Sequence, residues 1–338
     1  MAGPSAPRDH SGVRLHVVTG KGGTGKSTVA AALALGLASK GQEVLLCEVE
    51  GRQGIARMFD VDPLPYEERP IATGLRHGGR PPGTVYALHI EPESALLEYL
   101  AMYYKLGRAG RALDRFGVTE FATTIAPGVR DVLLTGKVFE AVRRNHRNKS
   151  ARQYDAVVLD APPTGRIAQF LGVNNELAGL AKMGPIKNQA DNVMTLFNSP
   201  ATRVHLVTVL EEMPVQETAD GIAELRAAGL PVGAVIVNQV RSRDIAEADL
   251  VAAREGRLDS DQILSDLKEA GVEVSSDLVD GLVSEATDHA ERRALEDAQR
   301  AVVAGLGVPT YELPRLPGGV DLGGLYDLAA QLKAKGLT

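Results

Sequence analysis

Gly20-Lys21-Gly22-Gly23-Thr24-Gly25-Lys26-Ser27-Thr28 is the stretch on which the fold turns. Before it, residues 13–19 form a short β-branched run, which reads as a strand broken by glycine. After it, residues 28–40 are rich in Ala and Leu and close on Lys40-Gly41, which reads as a helix ended by a glycine cap. Residues 43–49 are a second apolar run. Strand, helix and strand in about forty residues make a βαβ unit, hence a parallel sheet with a right-handed crossover. Further strands are expected at 85–90, 156–160, 204–210, 234–238 and 308–313, each short, apolar and bounded by turn residues. Helices are expected over 94–115, 130–144, 174–198 and within 245–304. Segments 59–84 and 145–153, rich in Pro, Gly, Arg or Asn, read as exposed loops. The fold class is α/β, one doubly wound, mostly parallel sheet with helical insertions.

The chain has 338 residues, 44% hydrophobic and 24% charged, with a net charge of -6. That length suits one large domain, and an acidic balance argues against a nucleic-acid footprint. No apolar run reaches the roughly 18–20 residues needed to span a bilayer. Residues 1–12 lack an apolar core and read as a disordered tail, leaving 13–338 as one domain. Insertions at about 94–150 and 171–200 are expected to form a helical subdomain. Cys47, the only cysteine, sits inside Val44-Leu45-Leu46-Cys47 and reads as a small core residue. A lone cysteine makes neither an internal disulfide nor a cysteine-based zinc site, which points to a cytoplasmic protein.

Gly20 to Ser27 satisfies the spacing G-x-x-x-x-G-K-[S/T] between a strand and a helix, the context that a phosphate-binding loop requires. Gly20, Gly22, Gly23 and Gly25 let backbone amides converge on phosphate oxygens, and the helix opening at Lys26 aims its positive end at the same anion. Lys26 would bridge β- and γ-phosphates, Ser27 would give its hydroxyl oxygen to Mg²⁺, and Thr24 and Thr28 complete the nucleotide-binding stretch. Asp160, at the C-terminal end of a buried strand, is the expected second magnesium ligand, since open α/β sheets bind ligands along that edge.

Lys21, directly after the first loop glycine, is not needed for the cradle. With it the segment resembles the deviant Walker A motif of the family containing MinD, ParA, nitrogenase iron protein and ArsA. The resemblance implies ATP at a face-to-face dimer junction, with Lys21 reaching the partner's nucleotide. After Asp160, the run Ala161-Pro162-Pro163-Thr164-Gly165-Arg166-Ile167-Ala168-Gln169-Phe170-Leu171 is similar to Asp-Thr-Ala-Pro-Thr-Gly-His-Thr-Leu-Arg-Phe-Leu. That run belongs to the branch holding the arsenical pump ATPase and the eukaryotic tail-anchored-protein targeting ATPase. Ile90-Glu91-Pro92-Glu93-Ser94-Ala95-Leu96-Leu97-Glu98-Tyr99, Pro127-Gly128 and Glu217-Thr218 resemble segments of the same branch. Within it, Asn238 matches the asparagine that hydrogen-bonds adenine, for which an amide offers both donor and acceptor. Leu313-Pro314 matches the adenine-flanking loop.

The resemblance implies an ATP-hydrolysing dimeric switch that couples ATP binding to a protein client or membrane partner, as homodimer or as heterodimer with a homologous ATPase. The chain departs from it at Glu50-Gly51-Arg52-Gln53-Gly54, where the family has Asp-Pro-Ala-His-Ser and its aspartate orients the attacking water. Glu50 is the expected water-positioning base, with Lys21 and Lys26 beside it as catalytic groups. Glu50 adds a methylene, so a slow or inactive pseudo-ATPase paired with an active homologue is one alternative, and a ParA/MinD-type positioning factor is another. Arg52 and Arg166 bring cations that relatives lack, either to stabilise transition-state charge or to pair with acidic neighbours. With Cys47 alone, neither a zinc clasp nor arsenite binding is expected. Met102, Met183 and Met194 are expected to fill core, and the helical insertions are where a client surface would form.

Overall fold

A computed structural model describes residues 12–50, 53–76, 81–104, 127–144, 151–180 and 185–338. Residues 1–11 of the expected tail, Gly51, Arg52, Met183, and parts of the expected helices 94–115 and 174–198 and of the expected loops 59–84 and 145–153 lie outside them. The strands are β1 (Leu15–Gly20), β2 (Val44–Glu48), β3 (Arg69–Thr73), β4 (Thr84–His89), β5 (Ala156–Asp160), β6 (Thr202–Thr208), β7 (Val232–Val240) and β8 (Thr310–Pro314). They form one sheet in the order β3-β4-β2-β5-β1-β6-β7-β8. All pairs are parallel except β3 with β4. The order reverses at β1, and the crevice beyond the carboxyl end of such a strand is where doubly wound sheets bind ligands.

The helices are α1 (Lys26–Ala38), α2 (Gly54–Met58), α3 (Pro92–Tyr104), α4 (Pro127–Arg143), α5 (Thr164–Leu180), α6 (Pro185–Phe197), α7 (Glu212–Ala227), α8 (Glu247–Arg254), α9 (Ser260–Glu269), α10 (Ser276–Ala304) and α11 (Leu322–Ala334). Alternating strand residues send their side chains into two cores. On one face Leu15, Val17, Leu45, Cys47 and Leu159 pack with Leu134, Phe170, Phe197 and Ile222 of α4, α5, α6 and α7. On the other, Val18, Leu46 and Val158 pack with α1, Ile55 of α2 and Leu325, Leu328 and Leu332 of α11. Every residue from Val29 to Ala38 is buried, so α1 is apolar on all sides, as a helix covered on all sides must be. Cys47 and Met194 lie in the interior, and burial pushes the Cys47 thiol up. Among the described residues no helix is long and apolar enough to cross a membrane.

Two expectations need correction. Segment 59–84 is not only loop: it holds β3, a short antiparallel edge strand with Pro70 in it and mostly exposed or half-exposed side chains. A strand with one hydrogen-bonded side tolerates proline and needs no apolar run, so it leaves little trace in the pattern. The helix expected from 174 begins earlier, at Thr164, and is described to Leu180, with α6 described from Pro185; prolines 162 and 163 lie just outside its first turn, where they do not interrupt it.

Candidate functional site

The segment after β1 passes through left-handed backbone at Gly23 (φ +92°) and Gly25 (φ +85°), the latter capping α1. A Cβ at Gly25 would lie 2.4 Å from Asn238 Nδ2, and one at Gly20 would lie 2.4 Å from the Val207 carbonyl. Both positions therefore require glycine for space, and Gly25 also for φ. Thr24 is buried, and its hydroxyl donates to the Lys21 carbonyl at 2.8 Å. Thr19 ties the end of β1 to the Pro162 carbonyl at 2.7 Å, joining this loop to the turn after β5.

The two loop lysines diverge. Lys26 Nζ lies 3.0 Å from Glu50 Oε2, whereas Lys21 Nζ pairs with Glu217 on α7. Ser27 Oγ donates to Asp160 Oδ2 at 2.5 Å. Asp160 is 3% exposed, and its Oδ1 is buried without a hydrogen-bond partner. Burial pushes this carboxyl up to about 6; Lys26 and Ser27 pull it back, while Glu48 and Glu50 push it further up. An orphaned buried carboxylate oxygen beside a serine hydroxyl is a hard oxygen set that suits Mg²⁺.

The remaining expected residues fall as follows. Asn238, buried at the end of β7, donates Nδ2 to the Thr24 carbonyl at 2.9 Å and so braces the loop from behind. Thr28 does not face the loop: its hydroxyl lies 3.6 Å from Met58 Sδ of α2. Gly22 and Lys21 to Thr24 line a cleft of about 550 Å³ with Met213, Gln239, Arg241, Leu295 and Arg315. Pro314, in register with Val240, lines an adjoining groove with Arg241 and Arg315. Arg166 is on Asp131, 3.1 Å away, the second of its two expected roles.

Sequence reasoning missed Glu48 and His89. Both are buried charged or polar side chains in register with one another, and Glu48 is also in register with Asp160. A signal was present in Glu48-Val49-Glu50, since alternate residues at a strand end share one face. Glu217 stood out only within Glu217-Thr218; its pairing with Lys21 carried no such signal, because it comes from the packing of α7 on β6 and β7.

Comparison with known proteins agrees with this geometry. The family model described as anion-transporting ATPase matches residues 13–202. The ATPase BagA of Mycobacterium tuberculosis is 53% identical over 331 residues, covering 98% of this chain and 96% of that protein. The arsenical pump-driving ATPase of Escherichia coli is 25% identical over 260 residues, covering 70% of this chain and 41% of its own. The ATPase GET3 of Kluyveromyces lactis is 24% identical over 266 residues, covering 69% and 73%. A nucleotide-binding loop on a doubly wound sheet, a match over more than half of the length, and a relative identical at half of its positions place the chain in one family: it belongs to the ArsA-type anion-transporting ATPases.

Proposed function

We propose that the protein is an ATP-driven switch whose two-fold assembly closes over nucleotide, homodimeric or paired with a homologous ATPase, and so reshapes a surface for a protein client or a membrane partner. The observation that carries this reading is the divergence of the two lysines of one loop. Lys26 turns inward to the side of Glu50 and Asp160, where it would hold the phosphates of its own nucleotide. Lys21 turns the other way, onto α7, at a cleft whose rim carries the exposed Met213 and Leu295, the direction from which a partner would come.

Ser27 and Asp160 would hold Mg²⁺, which supplies charge neutralisation on the β- and γ-phosphates. Gly20 to Gly25 would cradle the phosphates through backbone amides, and Glu50 would orient the attacking water once Lys26 leaves it for phosphate. Asn238 and Pro314 would flank adenine. The described helices of the insertions, α3, α4 and α6, are the proposed client surface. A cytoplasmic setting suits an ATP-dependent protein with one buried thiol. Although the Escherichia coli relative is named for an arsenical pump, a lone buried Cys47 offers no set of thiolates, and arsenicals are not expected as substrate.

Light scattering with Mg²⁺ and a non-hydrolysable ATP analogue tests the switch. The mass of the wild-type chain, alone or with its homologous partner, is expected to double on adding the analogue, and Lys21→Ala is expected to bind nucleotide without associating. Unchanged mass under all these conditions rejects the reading. Glu50 in the position of the family aspartate favours a second reading, a slow subunit dependent on an active homologue; hydrolysis by the purified chain that is lost in Glu50→Ala would remove it.

A further inference from the structure

Glu48 is a buried carboxylate to which the reading above gives no task. It closes β2, is 2% exposed, and pairs in register with Asp160 on one side and His89 on the other. The three side chains form one row on the α1 face of the sheet. Glu48 Oε1 accepts the Gly54 amide at 2.8 Å. Its Oε2 lies 3.5 Å from His89 Nδ1, an ion-pair separation in which neither atom gains an aligned hydrogen bond.

Gly54 opens α2, and the first amides of a helix have no partner within it. Glu48 therefore closes a loop on itself: its backbone ends β2 while its side chain holds the amide six residues on. Glu50 lies between these two anchors. The far side of the same turn is fixed by Gln53, left-handed at φ +51°, whose amide exchanges two hydrogen bonds with the Leu64 backbone at 3.0 and 2.8 Å. Ile55 and Ala56, next along, are buried in the core under α1. Glu50, between the two anchors, accepts from Lys26 Nζ at 3.0 Å.

We propose that Glu48, backed by His89, is a positioning residue for hydrolysis: it fixes the turn that aims Glu50, and does so as a hydrogen-bond acceptor rather than as a charge. The proposal rests on the reading of Glu50 as the group that orients water. A displacement of about 1 Å in such a group costs on the order of 10²-fold in rate. One amide needs one acceptor oxygen, so a glutamine at 48 serves equally, with its NH₂ turned to His89.

The test compares Glu48→Gln, Glu48→Ala, His89→Ala and Glu50→Ala in steady-state Mg-ATP hydrolysis, with hydrogen exchange of the Gly54 amide in nucleotide-free protein. Glu48→Ala is expected to lower kcat by roughly 10- to 100-fold with KM within about 3-fold, and to speed exchange at Gly54. Glu48→Gln is expected to stay within about 3-fold of wild type in both, with Gly54 still protected, and His89→Ala to fall between. Glu48→Gln as slow as Glu48→Ala would overturn the proposal, since charge would then be what matters; so would a rise in KM at constant kcat. Where turnover is too slow to rank or Glu48→Ala does not fold, exchange decides, and an unprotected Gly54 in Glu48→Gln overturns the proposal. Wild-type kcat in Glu50→Ala would instead remove the Glu50 reading, whereas an inactive Glu50→Ala with flat Glu48 variants removes this one alone.

Discussion

At Asp160 two opposing environments meet, and the balance can be measured. Burial raises its carboxyl to about 6 even with Lys26 and the Ser27 hydroxyl working the other way. Between about pH 4 and 6 the folded protein thus binds more protons at this residue than the unfolded chain does. Its contribution to stability is greatest on the acid side of that window and is lost as pH rises through it. Asp160→Asn removes the ionisation and keeps an acceptor for Ser27. It is expected to raise the stability of the ligand-free protein at pH 8 by about 1–3 kcal/mol, and to change it little at pH 4. Chemical denaturation at both pH values checks this; equal stability of variant and wild type at pH 8 would show the buried charge to be compensated. The same substitution is expected to abolish Mg²⁺-dependent nucleotide affinity. Protons compete with metal for this carboxylate, so wild-type affinity is expected to fall as pH drops below about 6.

The strand–loop–helix element is held from behind as well as from within. Gly25 needs left-handed backbone, and the space beside it is filled by the amide that Asn238 gives to Thr24. Gly25→Ala meets both obstacles and is expected to destabilise the protein by about 2–3 kcal/mol, with nucleotide affinity lost as Asn238 is pushed off the loop. Gly22→Ala meets no atom within 4 Å and is expected to cost under about 0.5 kcal/mol. Calorimetric titration and thermal denaturation of the pair measure the contrast. This element was legible in the sequence because glycine spacing, a β-branched run and an Ala-Leu helix are all local signals. The other buried parallel strands were legible for the same reason, since burial on both faces leaves an unbroken apolar run. The edge strand β3 was not, because half its surroundings are solvent and Pro70 reads as a loop. The Glu48–His89–Asp160 row was hidden too: it depends on the register of three strands far apart in the chain. Asp160 itself could be found, because it ends an apolar run directly before a motif-bearing turn.

At the scale of the whole molecule, ion pairs tie α10 to the residues that follow Asn238 and to β8, beside Val303 of α10, which joins the main apolar core. Among the described residues, the small cluster of Leu250, Ala253 and Ala290 joins α8 to α10. Arg241, just past Asn238 and Gln239, reaches Glu296 on α10 at 2.5 Å. Glu296 also takes Arg293 at 3.3 Å, and Arg300 joins Glu312 of β8 at 2.6 Å. Arg293 and Glu296 are both buried, so removing Glu296 leaves the Arg293 charge away from water with only the more distant Asp297 carboxylate, 3.8 Å away, beside it. Glu296→Ala is expected to lower stability by about 2–3 kcal/mol, within the range for breaking a buried pair. Arg241 and Glu296 line the cleft that Lys21 to Thr24 also line, so the loss should not stop at stability. With Arg241 released, ATP affinity is expected to weaken by roughly 10-fold, one step of about 1.4 kcal/mol. A surface charge change of the same sign, Glu291→Ala on the exposed side of α10, should leave both properties near wild type. Thermal shifts with and without ATP separate the two effects, because nucleotide raises the melting temperature only as far as it binds. An unaltered ATP-induced shift in Glu296→Ala would mean that these ion pairs support the fold without reaching the nucleotide.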